Sequence, residues 1–433
     1  MLTAFARAFR TPDLRNKLLF SIMIMALFRL GSFIPTPGVS YPAVRECVGN
    51  NDSNAGLGLI NLFSGGALLQ LSVFALGIMP YITASIIIQL LTVVIPRFEM
   101  LKQEGQTGTA KLTQYTRYLT IGLAVLQSTT LVAIARNPGG LFQSCQADLV
   151  PSDSYVTIIL MVVTLTAGTG MVMWLGELVT ERGIGNGMSL LIFTSIAAGF
   201  PGSLWSIKQQ NSWDTMLIVI AIGVCIMGMV IFVEQSQRRI PVQYAKRMIG
   251  RRMFGGSSTY IPIKVNMAGV IPVIFASSLL YLPALITQFQ RNSTAEWVRW
   301  INMYLVRGDH PLYMICYFLL IIFFTYFYVS ITFNPDEVAD NMKKYGGFIP
   351  GIRAGRPTAD YLNYVLSRIT LPGSLYLGVV SMIPLVALAL LNANTSQFPF
   401  GGTSILIVVG VGLETVKQIE SQLQQRHYEG FLR

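Results

Sequence analysis

The sequence predicts an all-α integral membrane protein of ten transmembrane helices, built as two inverted five-helix halves with one re-entrant half-helix. Three observations carry that fold class. Of 433 residues, 52% are hydrophobic and only 12% are charged. A soluble domain carries about 25% charged residues, so this chain cannot cover a water-facing surface. Apolar stretches of about 20 residues, the length that crosses a hydrocarbon core, recur ten times. The Lys and Arg residues gather between alternate stretches, which sets an orientation.

The ten stretches lie near 18–35, 72–95, 116–135, 155–176, 186–204, 215–233, 268–289, 312–333, 371–392 and 403–422. With the N-terminus cytoplasmic, the inner segments hold 24 Lys and Arg and the outer segments hold 6. That ratio puts both termini in the cytoplasm. The net charge of +11 is accounted for by these basic inner loops and does not by itself point to nucleic acid. The first apolar run, Leu18 to Ile34, lacks a small-residue cleavage site and more spans follow it, so no cleavable signal peptide is expected.

The second element needs a different solution from the others. Leu57 to Ile95 is 39 residues, about 58 Å as one helix against a core of about 30 Å. It joins an outer loop to a basic inner loop, so it crosses an odd number of times. One full crossing from about Ser72 to Ile95, preceded by a re-entrant half-helix from about Leu57 to Gln70, satisfies both limits. Non-helical backbone at membrane depth survives only when buried in protein or lining a watery cavity. The segment is therefore expected to face a cavity.

Five spans precede the Gly199–Trp213 loop and five follow, giving halves 1–205 and 206–433. The second span of one half carries Gly77-Ile-Met-Pro80, and that of the other carries Gly269-Val-Ile-Pro272. Gly and Pro are common in transmembrane helices generally. Their matched position in two halves is what signals an internal repeat around a central pathway. An odd number of spans per half inverts the second copy.

Helical spacing puts Ile78, Ile82, Ser85 and Gln89 on one face of the second span, and Ser404, Ile407, Gly410 and Glu414 on one face of the tenth. Both faces change from apolar or small outside to polar inside. A single Ile in a membrane helix otherwise reads as packing or lipid contact. The two faces together suggest a funnel closed by a hydrophobic constriction, which gates by excluding water. Ionisable residues deep in the spans would mark a pump or ion-coupled transporter, but Arg29, Glu177 and Glu414 all lie toward span ends. Transporters of the inverted-repeat type also want a polar midplane site, and here the waist is apolar. No HExxH, GxSxG or P-loop is present. Gly183-Ile-Gly185-Asn-Gly187 lacks the Lys and the strand of a phosphate loop and reads as a tight turn into the fifth span. No enzyme activity, metal or cofactor is expected. Cys225 and Cys316 sit in apolar runs as packing residues, while Cys47 and Cys145 fall in loops on the same outer face, where a disulfide is left open.

Two inner loops are long, about 234–266 and 334–369. The first carries Arg238, Arg239, Lys246, Arg247, Arg251, Arg252 and Lys264, more than orientation requires. Such a cluster suits anionic lipid or RNA phosphate, or simply forms a solvated positive loop. The second loop is near charge balance, and Gly346-Gly347 with Pro350-Gly351 gives it the look of a shaped docking tip.

The stretches "FRLGSFIPTPG", "NLFSGGAL", "FALGIMPYITASIIIQLL", "MWLGELVTERGIGNGMS", "RRIPVQYAKR", "IPIKVNMAGVIPVIFASS", "TFNPDEVADNMKKYGGFIPGIR" and "FGGTSILIVVGV" closely resemble the SecY family of bacterial protein-conducting channels. The resemblance implies an hourglass pore whose waist is sealed by Ile78, Ile82, Met188, Ile192, Ile274 and Ile407. Met188 stands where Ile is usual, and a flexible thioether still suits an apolar gasket. It also implies a plug at about 57–70, including Asn61, Phe63, Ser64, Gly65, Gly66 and Leu68. Lateral release of signal sequences and membrane helices would occur between the second/third and seventh/eighth spans, with Thr83 and Gln127 as gate-lining candidates. Arg247, Arg251, Arg252 and Arg353 would dock the SecA motor ATPase and the ribosome. The other implied partners are the small subunits SecE and SecG, signal peptides, nascent chains and anionic lipids, in the bacterial cytoplasmic membrane. Two positions depart from the family pattern. Ala354 replaces the Pro of "GIRPG", and Thr109 and Ala110 stand where members carry paired basic residues.

Overall fold

In the computed structural model the described residues are 9, 11–49, 64–136, 148–151, 154–210, 213–244, 247–249, 252–254, 258–289, 296–306, 310–391 and 402–429. Each of the ten predicted spans overlaps a helix. In chain order, with the shorter helices between them, these are α1 (Pro12–Gly31), α2 (Tyr41–Gly49), α3 (Met79–Val94), α4 (Pro96–Gln103), α5 (Gln106–Arg136), α6 (Tyr155–Arg182), α7 (Gly187–Gln210) and α8 (Trp213–Gln235). They continue with α9 (Ile271–Phe289), α10 (Glu296–Ile301), α11 (Pro311–Thr332), α12 (Pro335–Lys344), α13 (Arg356–Leu391) and α14 (Gly402–Glu429). Among the described residues, Gln106–Arg136, Tyr155–Arg182, Pro311–Lys344 and Arg356–Ile383 are by themselves long and apolar enough to cross a membrane. The α3–α4 pair also qualifies once its 100° bend is allowed for.

Proline sets many of these boundaries. It has no N–H to lose at a helix start, and it pushes the preceding residue out of the helical region. Ile95, extended at φ −104° and ψ 112°, ends α3 before Pro96 and makes the corner to α4. Helix α11 begins at Pro311, where the His310 ring accepts a hydrogen bond from the Leu312 amide at 3.1 Å. Helix α12 begins at Pro335 with Asn334 as its cap, Asp336 and Glu337 in the first turn and Lys343 and Lys344 in the last. Those charges complement the helix dipole at both ends.

The structure corrects two sequence expectations. The second crossing was placed from Ser72, but residues 65–78 form successive turns and the helix starts only at Met79. Left-handed backbone at Gly65, Gly66, Leu71 and Gly77, with φ of 66°, 90°, 46° and 56°, prevents a continuous helix there. Beyond Ser64, the described part of the expected half-helix is therefore turn. Its earlier residues, Asn61 and Phe63 among them, lie outside the described set. The other correction concerns the first long inner loop, which folds as an antiparallel hairpin of β1 (Gln237–Tyr244) and β4 (Ser258–Lys264). Between them lies a two-stranded ribbon of β2 (Arg247–Ile249) and β3 (Arg252–Phe254). Strand β5 (Gly347–Phe348) from the second inner loop pairs with β1, giving the order β4-β1-β5.

Apolar side chains collect in separate clusters. One, with Val44, Leu71, Leu131 and Met161, lies within the first half, and another, with Val273, Phe275, Ile321 and Leu406, lies mainly within the second. A third joins residues of both halves and holds the waist. A fourth, including Ile240, Val242, Ile263, Val329 and Leu362, seats the strands on α11 and α13. Cys47 is disulfide-bonded, Cys225 and Cys316 are free, and Cys145 lies outside the described residues.

Candidate functional site

The site starts from two matching turns. Gly77 and Gly269 have φ of 56° and 61°, a conformation that a Cβ makes costly. Two residues after each, α3 and α9 begin at Met79 and Ile271, with Pro80 and Pro272 in second place. The Ile82 amide bonds the Ile78 carbonyl at 3.1 Å, and the Ile274 amide bonds the Val270 carbonyl at 3.3 Å. The same register therefore delivers Ile82 and Ile274 from opposite halves.

All six residues of the expected waist meet in one apolar cluster. Ile78, Ile192, Ile274 and Ile407 are buried within it, while Ile82 and Met188 pack against it half-buried. They come from α7, α9, α14 and the start of α3. Further along the same faces Ser85 is half-buried, and Gln89 and Glu414 are exposed. The two faces read from the sequence thus run from a closed apolar collar to an open polar mouth. Sequence reasoning missed Val270, which stands in the second half where Ile78 stands in the first and packs against the same cluster. The matched Gly positions alone would have named it.

Outside the collar, the turn segment is fastened to the loop after α1. The Thr36 amide and hydroxyl both donate to the Leu71 carbonyl, at 3.0 and 2.8 Å, and the Val73 amide donates to the Ile34 carbonyl at 2.9 Å. Within the segment the Leu68 amide donates to Ser64 Oγ at 3.1 Å, and Ser72 Oγ donates to the Ala67 carbonyl at 3.2 Å. Phe74 stacks on Phe28 of α1 with centroids 5.9 Å apart. Ser64 and Leu68 are buried.

The expected side opening is a seam with few polar ties. Helix α3 packs on α5 and α9 on α11, and α9 also touches α3 and α5. Thr83 Oγ1 donates back to the Met79 carbonyl at 3.0 Å, and both Thr83 and Gln127 are half-buried. Among the described residues no hydrogen bond joins either of them across the seam. Ile86, one turn past Ile82, packs against the second half's cluster and was not singled out from sequence. Beyond the end of α3, Lys102 Nζ of α4 donates to the Ile331 carbonyl of α11 at 3.4 Å.

The docking candidates are split between two places. Arg247 and Arg252 lie on the β2–β3 ribbon, where Arg252 pairs with Ile249, and Arg251 lies outside the described residues. Arg353 is exposed beyond β5, and its carbonyl accepts a hydrogen bond from Thr358 Oγ1 at 2.8 Å. The β1–β5 pairing connects the two loops. Arg239, whose guanidinium lies 4.8 Å from the Tyr260 ring centroid, braces the hairpin.

The family model described as SecY matches residues 72–416. The protein translocase subunit SecY of Streptomyces scabiei is 69% identical over 440 residues, with 100% of both chains covered. That of Mycobacterium tuberculosis is 60% identical over 444 residues, again with 100% of both covered. Among solved structures, one described as a protein conducting channel superposes with a TM-score of 0.63 at 19% identity, covering 94% of this chain and 91% of its own. Sec61 from a canine ribosome–channel complex gives a TM-score of 0.62 at 20% identity, with the same coverage. At those identities the likeness is one of fold.

Proposed function

As a member of the SecY family this chain is a multi-spanning protein translocase subunit that forms a protein-conducting channel, and we propose that unfolded polypeptide passes through the six-residue collar. The observation that carries this assignment is the convergence of Ile78, Ile82, Met188, Ile192, Ile274 and Ile407 from both halves into one apolar cluster. Aliphatic walls make no directional bonds, so they close on each other at rest and accommodate any side chain in transit. A constriction of this kind excludes water when empty.

The remaining parts take their roles around that collar. The segment before α3 is the plug of the outer funnel. The seam between α3/α5 and α9/α11, near Thr83 and Gln127, releases signal sequences and membrane helices into lipid. Arg247, Arg251, Arg252 and Arg353 dock SecA or the ribosome, SecE and SecG bind alongside, and anionic lipid meets the basic inner face. The channel is passive and performs no catalysis. It lies in the bacterial cytoplasmic membrane with both termini inside. The test is a photo-crosslinker at Ile78 or Ile274 with a secretory chain stalled in transit. Crosslinks to the stalled chain are expected from both positions, and their absence would overturn the assignment.

A further inference from the structure

We propose that Arg29 is a positioning residue that latches the plug in its seat, an assignment that rests on reading the segment before α3 as the plug. Arg29 lies in the last turn of α1, within the first apolar span. A cation there is costly unless it finds a partner or reaches the headgroups. Its Nη1 instead donates to the carbonyl of Gly65 at 2.5 Å, and its guanidinium lies 4.8 Å from the Phe33 ring centroid. Among the described residues no carboxylate lies within ion-pair distance of Arg29.

The acceptor is built into a narrow place. Gly65 has φ 66°, and a Cβ there would lie 2.9 Å from Arg29 Nη1 and 3.1 Å from Ser195 Cα. The plug backbone is thus held between the α1 arginine and the backbone of α7. Ser195 follows Ile192 by one helical turn, so the latch sits directly beyond the collar on the helix that supplies two of its members. Separate contacts, from Thr36 and Ile34, fasten Leu71 and Val73 nearer the helix start. Those can persist as a tether while the Gly65 end swings free.

The choice of acceptor suits repeated use. A carboxylate partner would make an ion pair that is hard to part in a low dielectric. A carbonyl gives a charge-assisted hydrogen bond that holds at rest and can be exchanged for water once the funnel fills. Arg29 then faces that water as an ordinary hydrated cation, and the bond reforms when the segment returns.

The experiment compares the intact translocase carrying wild-type chain, Arg29→Gln, Arg29→Lys or a deletion of residues 60–70. Resting ion conductance is measured in planar bilayers, and membrane abundance and export of a substrate with a defective signal sequence are measured in cells. Arg29→Gln is expected to raise resting conductance roughly tenfold, the weight of one hydrogen bond to a charged group. It should also admit the defective substrate at normal abundance. Arg29→Lys, which keeps the charge but loses the planar fork, should fall between wild type and Arg29→Gln. Conductance unchanged in Arg29→Gln while the deletion leaks would overturn the latch and leave the plug standing. No leak from either would remove the plug reading itself. If Arg29→Gln does not accumulate, the labelling rate of Ser64→Cys by an impermeant maleimide decides between the wild-type and Arg29→Lys backgrounds. Faster labelling with Lys supports the latch, and equal rates overturn it.

Discussion

The lead-ins to α3 and α9 share a backbone and differ in everything attached to it. Both turn through a left-handed glycine, both restart as helix on a proline in second place, and both send an isoleucine into the collar. Ahead of Gly77 the chain is a stack of turns fastened to the loop after α1. Ahead of Gly269 it comes from a strand. There the Val265 amide bonds the Ser236 carbonyl at 3.0 Å, and Asn266 Nδ2 bonds both Glu234 Oε1, at 2.5 Å, and the Gly269 carbonyl, at 3.1 Å. The two lead-ins share the turn and differ in what it carries, a stack of turns in one half and a strand platform in the other. The strand platform reaches α9 through covalent chain and β-pairing, in addition to the packing of α9 on α11, while the lead-in to α3 is fastened to the loop after α1.

The largest effect should come from breaking the platform side alone. Arg353→Glu is expected to leave the protein inserted at normal abundance while abolishing motor-driven export into inverted vesicles. Export at the wild-type rate would mean that the exposed end of the platform does no docking. Resting conductance, which the proposed plug would set, should not change.

A smaller effect tests whether the hinges are equivalent. Gly77→Ala and Gly269→Ala should each cost about 1–2 kcal/mol, the penalty for a Cβ in left-handed backbone. For Gly269 that strain acts alone, since no other atom lies within 4 Å of the added Cβ. Unfolding midpoints of the purified protein in detergent would report it. If only one substitution destabilises, the matched geometry is not a shared constraint.

The smallest effect concerns an ion pair that, among the described residues, has no counterpart in the second half. Arg117 and Glu177 join α5 to α6 through paired contacts of 2.9 and 2.8 Å, with the arginine side chain 44% exposed. An exposed pair of this kind is worth under about 1 kcal/mol. Arg117→Ala should therefore shift the unfolding midpoint only slightly and leave export unchanged. A large loss would show that the first half depends on this brace in a way the second does not.

These contrasts also show what the sequence could reveal. Helix positions were legible because crossing a hydrocarbon core demands length and apolarity, and few other pressures do. The strands were hidden by the count of charges. Buried Ile240 and Val242 alternate with exposed Arg239, Pro241 and Gln243 at the strand period, yet Arg238, Arg239 and Lys264 drew attention to orientation instead. Residues 72–78 were misread as helix because Leu71, at φ 46°, carries no mark of its conformation. In the collar, Ile78, Ile82 and Ile407 stood out on faces that change polarity along their length. Met188, Ile192 and Ile274 did not, because Met188-Ser-Leu-Leu-Ile192-Phe and Ile271-Pro-Val-Ile274-Phe are apolar nearly all round. Only family resemblance selected them. Cys47, expected in a loop, lies in the short helix α2, and its bonded state was left open by the sequence.

The 100° corner at Ile95 gives α3 a crank handle. Helix α4 is eight residues long, or about 12 Å, and stands nearly square to the helix that supplies Ile82. A 10° roll of α3 about its own axis would sweep the far end of α4 by about 2 Å. The 3.4 Å bond from Lys102 to Ile331 lies on that handle, and the flexible lysine stem lets it follow such a movement. The corner also lays α4 against α5, where Phe98 meets Tyr115 edge-on with centroids 5.6 Å apart, so a roll of α3 would be felt at that ring contact as well as at the exposed bond to α11.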